Sequence, residues 1–132
     1  YLAHWLSMPG RAANAKMPRV FYVNWFRKSS TGKWLWPGFG ENCRVLKWIF
    51  ERIEGSAKAV ESPIGHLPAP GAIDTTGLDV SAEDMKELLI VDVAGWQKDL
   101  PNMREHFAAM GSRLPAALKE ELDALEQRLA KA

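Results

Sequence analysis

The sequence predicts a mostly α-helical chain with one short strand or hairpin near residues 20–36. Three observations carry this. Apolar residues recur every three or four positions through much of the chain after residue 42, the spacing of one helix face. The run VFYVNWF at residues 20–26 is β-branched and aromatic, the composition that favours a strand. Between the helical patterns lies a stretch, residues 56–79, broken by Pro63, Gly65, Pro68, Pro70, Gly71 and Gly77, residues that punctuate regular structure.

Taken in order, residues 1–8 read as the end of a helix with Leu2, Trp5 and Leu6 on one side, stopped by Pro9 and Gly10. In the strand at 20–26, alternate side chains face opposite ways, so two of Phe21, Tyr22, Trp25 and Phe26 turn away from the core. Ser29, Ser30, Thr31 and Gly32 form a turn, and residues 33–36 return as a short partner strand. From Asn42 the pattern is helical, with Val45, Leu46, Ile49, Phe50 and Ile53 on a wide apolar face, and Gly55 ends it. Residues 56–79 are a connecting segment. Ser81 and Asp84 are spaced as a capping box at the start of a short helix. Val93, Trp96, Leu100, Met103, Phe107 and Met110 form a helical stripe, and Pro101 inside it predicts a kink or break. Pro115 opens a last helix with Leu118, Leu122, Leu125 and Leu129 on its buried face, so residues 80–132 form a helical tail.

With 132 residues, 47% of them hydrophobic and 25% charged, the chain is long enough to bury a core of its own. No apolar run approaches the roughly 20 residues that span a bilayer. A single cysteine, Cys43, excludes an intrachain disulfide and fits a reducing compartment. The net charge of +1 conceals an asymmetry: residues 1–66 carry ten Lys/Arg against four Asp/Glu, and residues 67–132 carry seven against twelve. A basic half favours an anionic ligand; two opposite halves also attract each other. The basic residues are dispersed, unlike a nucleic-acid-binding tail.

Catalytic constellations are scarce. His4, His66 and His106 lack metal-ligand spacing, and Cys43 has no local motif. Gly32-Lys33 resembles the end of a phosphate-binding loop, but Trp34 follows where Ser or Thr is required, and Arg27 stands where the first Gly belongs.

The unusual feature is RKSSTGKWLWPGFGEN, residues 27–42, where Trp34, Trp36 and Phe39 sit among turn residues. Seven of the thirteen aromatic residues fall between positions 21 and 39. Phe26 and Trp34 flank the turn as a cross-strand pair, and Phe39 is held between Gly38 and Gly40. Such an arrangement suits a flat heterocycle, since each base–aromatic stack is worth about 1–3 kcal/mol. Selection among bases needs hydrogen bonds to the base edge, and Asn42 is positioned to supply one. The plainer alternative makes Asn42 an N-cap and Trp34 and Phe39 plugs for the core, and composition and spacing alone favour it.

The run FYVNWFRKSSTGKWLWPGFGENCRVLKWIFERIEG, with YLAHWL before it and SPIGHLP after it, closely resembles the C-terminal region of GTP-dependent phosphoenolpyruvate carboxykinases. The resemblance is dense from residue 1 to about residue 68 and continues more thinly into LPAALKEELDALEQRL. It implies an α/β parent enzyme, of whose GTP-binding domain residues 1–132 form the C-terminal part. The implied reaction, a step of gluconeogenesis, converts oxaloacetate and GTP to phosphoenolpyruvate, GDP and carbon dioxide with manganese and magnesium, in the cytoplasm. Carried over residue by residue, Phe26, Trp34 and Phe39 match the aromatics of a guanine pocket, and Gly40, Glu41 and Asn42 match the segment against the base. Trp34 departs from the family's usual Phe. The family's phosphate loop, metal ligands and substrate arginines have no match here, so the resemblance implies no catalytic residue, no metal ligand and no turnover by this chain alone. The opening on Tyr1 fits a piece of a longer protein, and its open strand edge and exposed aromatics invite self-association. Two rival readings stand beside this one: an interaction module whose aromatic Pro/Gly loop grips Pro-rich peptides or a protein surface, and a purely structural segment with no ligand.

Overall fold

The computed structural model describes residues 1–11 and 16–132. Among these residues the chain is mostly helical, with five α-helices and one two-stranded antiparallel sheet. It divides into two compact units, Arg19–Val91 and a second made of Tyr1–Pro18 with Asp92–Ala132.

In the first unit the central element is α2, Asn42–Glu54. It ends at Gly55, whose φ of 86° is the left-handed conformation of a helix C-terminus. Its inner face carries Trp48, which with Trp36 and Ile73 makes the buried centre of the unit; Val45, Ile49, Phe21, Trp25, Leu78, Met85 and Leu88 pack around them. The Trp48 indole donates to the Lys58 carbonyl at 3.2 Å, and Phe21 meets its ring edge-on at 6.3 Å. The wide apolar face expected on α2 is only half covered: Leu46, Phe50 and Ile53 are exposed.

The expected strand at 20–26 has no ladder partner among the described residues. Only one isolated antiparallel bridge, Lys28 to Trp34, forms in the region read as a hairpin. The side-chain alternation nevertheless stands: Phe21 and Trp25 face the core, while Tyr22 and Phe26 point away from it. The composition set the facing of the side chains; a strand also needs a hydrogen-bonded partner, and no ladder forms here among the described residues. The hairpin lies instead in the segment read as a connection: β1 (Ala59–Ser62) pairs with β2 (Gly65–Pro68), Val60 opposite Leu67 and Glu61 opposite His66. Gly65 takes a φ of 122° at the turn, which is why a residue that looks like a strand breaker belongs there. α3, Ala82–Leu89, begins at the expected capping box: the Ser81 hydroxyl accepts from the Asp84 N–H at 3.0 Å and Asp84 accepts from the Ser81 N–H at 3.1 Å.

In the second unit, α1 covers Leu2–Ser7 and is followed by the 3₁₀ turn Met8–Gly10. α4 (Val93–Ala109) and α5 (Ala116–Ala130) share a core of Leu100, Leu122 and Leu129, flanked by Val93, Trp96, Met103, Phe107 and Leu125. The expected break at Pro101 does not occur; α4 runs through it as one helix. Proline removes one hydrogen bond, but apolar residues on both sides of it, Leu100 and Met103, pack into the same core and hold the two halves together.

Candidate nucleotide-binding loop

The segment from Phe26 to Asn42 is built in two halves around a buried middle. In the first half, the Ser29 N–H donates to the Lys33 carbonyl at 2.8 Å and the Leu35 N–H to the Arg27 carbonyl at 3.1 Å. Gly32 turns the chain with a φ of 85°. The Ser29 hydroxyl accepts from the N–H groups of Thr31 and Lys33. These bonds bring Phe26 and Trp34 together edge-to-face, with ring centroids 6.1 Å apart at 68°. The Lys28 ammonium lies 4.1 Å from the centroid of the Trp34 ring, a cation–π contact that leaves one ring face engaged.

Two cations fix this half to α3. The Arg27 guanidinium donates to the carbonyls of Leu88 and Ile90, each at 3.1 Å. Those carbonyls lie at the helix C-terminus, where acceptors lack intrahelical partners. Lys33 Nζ donates to Asp84 at 2.9 Å. This bond is the main reason the Lys33 ammonium holds its proton above the usual lysine range. The same bond, with the Ser81 N–H, holds the Asp84 carboxyl below its ordinary value.

Leu35 and Trp36 form the buried middle, at 1% and 6% exposure. Gly38 then takes φ 104° and ψ −155°, a conformation open in practice to glycine alone. It throws Phe39 outward onto the 3₁₀ turn Phe39–Glu41. Phe39 is 95% exposed, Phe26 74% and Trp34 52%. The alternative in which Trp34 and Phe39 plug the core therefore fails. Phe39 makes no ring contact with the other two among the described residues.

Asn42 is the first residue of α2 and not its N-cap; that position belongs to Glu41, whose side chain makes no cap bond. Asn42 Oδ1 instead accepts from the Trp36 indole N–H at 3.0 Å. Glu41 accepts from Arg44 Nε at 2.7 Å, and the same guanidinium donates to the carbonyls of Asp74 and Thr76 at 3.0 and 3.1 Å. Arg44 is thus a strut between the turn and the loop after β2. Its hydrogen bond to Glu41 is the largest cause of its raised pKa. The Cys43 thiol donates to the Gly40 carbonyl at 3.6 Å.

The structure thus pairs Phe26 with Trp34 and joins Gly40, Glu41 and Asn42 in one turn beside the exposed Phe39. Sequence reasoning missed four positioning residues: Arg27, Lys33, Arg44 and Trp36. A basic residue in a turn and an indole in a loop each need a partner, but nothing in the linear order names a carbonyl 61 residues away. No group of three His, Cys, Asp or Glu side chains among the described residues is arranged to hold a metal. No helix among them is long and apolar enough to cross a membrane.

Residues 1–128 match the family described as "Phosphoenolpyruvate carboxykinase C-terminal P-loop domain". Among curated proteins, the chain is 52% identical over 130 residues to a phosphoenolpyruvate carboxykinase [GTP] of Neocallimastix frontalis. It is 48% identical over 130 residues to those of Treponema pallidum (strain Nichols) and Arthrobacter sp. (strain FB24). Each alignment takes in 98% of this chain but 21% of the relative, so the chain spans about a fifth of the length of the proteins it resembles. With nearly the whole chain matched, it belongs to the GTP-dependent phosphoenolpyruvate carboxykinase family, in its C-terminal P-loop domain.

Proposed function

We propose that the loop from Phe26 to Asn42 is the guanine-binding wall of a GTP-dependent phosphoenolpyruvate carboxykinase. The observation that carries the reading is the combination of exposure and order. Phe26, Trp34 and Phe39 are held outward by specific hydrogen bonds and a glycine-only backbone conformation, although burial would ordinarily be favoured for rings of this size. Phe26 and Trp34 offer ring surface for stacking, Phe39 a second surface, and the turn at Gly40, Glu41 and Asn42 the polar groups that read a base edge.

In the parent reaction GTP supplies the phosphoryl group that converts decarboxylated oxaloacetate to phosphoenolpyruvate. The residues of this chain bind and orient the base. The family's phosphate loop, metal ligands and substrate arginines have no match among these 132 residues, so the chain alone is expected not to turn over; phosphoenolpyruvate formed from oxaloacetate and GTP by the purified chain would overturn this. Self-association is a further part of this reading, supported by the exposed Leu46, Phe50 and Ile53 on α2, with sedimentation velocity across a concentration series as its check.

The test is a titration of GTP, with ATP as control, into the purified chain, followed by tryptophan fluorescence and calorimetry. Saturable binding of GTP alone, lost in Phe39→Ala and Asn42→Ala, is the expected result. Equal binding of both nucleotides, or of neither, overturns the proposal of a preformed guanine site.

A further inference from the structure

We propose that Trp36, a buried residue with no access to a ligand, sets the base preference of the loop by fixing which way the Asn42 amide points. This rests on the guanine reading above and names the device that makes it selective.

A carboxamide has two chemically opposite ends, an oxygen that accepts and an NH₂ that donates. Exchanging them by rotation about the last side-chain bond turns a donor into an acceptor at the same place. The orientation of such a group is set by the hydrogen bonds around it. The indole N–H has only one role: it donates and never accepts. Trp36 Nε1 lies 3.0 Å from Asn42 Oδ1, so the amide oxygen is drawn toward the indole and the NH₂ is left as the end available to a ligand. The flipped amide would set two donors against each other, one of them a buried indole N–H, and a buried donor without a partner is costly.

Trp36 is itself fixed. It is 6% exposed and belongs to the core cluster with Trp48 and Ile73, so the indole cannot swing to follow the amide. Among the described residues the Asn42 NH₂ has no protein partner. A donor offered at the base edge matches a purine with a carbonyl at position 6. It opposes one with an amino group there, because the amino group presents hydrogens. The orientation therefore selects guanine over adenine, and the selectivity originates in a side chain one layer below the loop surface.

The test uses Trp36→Phe, which keeps an aromatic ring in the core and deletes the indole N–H. Two readouts are needed. In the free protein, the Trp36 indole proton should exchange with solvent far more slowly than that of exposed Trp34, and both Asn42 NH₂ resonances should move toward their free-peptide positions in Trp36→Phe. Indole exchange at Trp36 as fast as at Trp34 overturns the lock. In titrations with GTP, ATP and the triphosphate of 2,6-diaminopurine, the variant should lose about tenfold of the preference for GTP over both 6-amino purines, as expected when one hydrogen bond no longer discriminates. Equal weakening toward all three nucleotides, or an unchanged preference, overturns the assignment to Trp36 and leaves the guanine wall standing. Failure of the unaltered chain to bind any of them overturns the guanine wall itself, and the discrimination with it.

Discussion

Truncation of Phe39 separates a ligand-facing ring from a packing residue. The ring is 95% exposed, so about a twentieth of its surface is covered by the protein. A buried aromatic covers about 150–250 Å²; a twentieth of that is roughly 10 Å². At about 25 cal/mol per Å² the burial lost in Phe39→Ala is about 0.3 kcal/mol. Chemical denaturation followed by circular dichroism should therefore place the variant within about 0.5 kcal/mol of the parent chain. Its affinity for GTP should fall by the value of one base stack, about 1–3 kcal/mol, or roughly 5- to 150-fold in Kd. Calorimetry measures this, and Trp34 remains in the variant as a fluorescent reporter. A stability loss above about 2 kcal/mol would show that the ring is a packing residue. Unchanged stability with a GTP affinity unchanged within about twofold would remove Phe39 from the site.

Further outcomes follow from other contacts. Gly38→Ala should cost about 1–3 kcal/mol, because φ 104° with ψ −155° is strained for a residue with a Cβ; it should also weaken GTP binding by displacing Phe39, as a paired denaturation and titration would show. Leu129→Ala, at a site 1% exposed between α4 and α5, should destabilise that unit by about 2–5 kcal/mol in urea and leave the GTP titration unchanged. Ser81→Ala deletes one side of the α3 capping box and should cost about 1 kcal/mol, read as a lower urea midpoint. The Asp84 carboxyl is held below its ordinary range by Lys33 and the Ser81 N–H, so its contribution is complete above about pH 4 and is lost as pH falls through its lower folded value. Lys33→Gln should move the Asp84 titration upward in a carboxyl-detected NMR experiment; an unmoved midpoint refutes the pairing.

Much of this was legible before the structure. The helices from α2 onward follow three-and-four spacing, and Ser81 with Asp84 announces α3 because a capping box is a local device. The facing of Phe21, Tyr22, Trp25 and Phe26 was readable for the same reason, since alternation needs only the chain itself. Pairing is harder, since it depends on a second backbone: the turn at Ser29–Gly32 announced the Lys28–Trp34 bridge, whereas the β1–β2 hairpin has no strong local signal. The hairpin strands are short and contain Gly65 and Pro68, residues that ordinarily weaken a strand. On α2 the stripe reported which residues are apolar but not how many would be covered, so Phe50 and Val45 looked alike. At the site, the aromatics and Asn42 were visible as residue types in an unlikely place. The Trp36–Asn42 bond was not, because the sequence offered capping as a simpler use for that asparagine.

The stretch without a ladder partner has a consequence for how the unit holds its shape in time. Residues 20–25 donate no backbone hydrogen bond to any described backbone group, yet Phe21 and Trp25 are packed into the core. Order there is carried by rings and not by amides. Deuterium should enter these backbone positions almost as fast as in a free peptide, while the Phe21 ring beside Trp48 stays in one environment. A map of amide protection alone would label this segment loose, and a map of side-chain contacts would label it fixed.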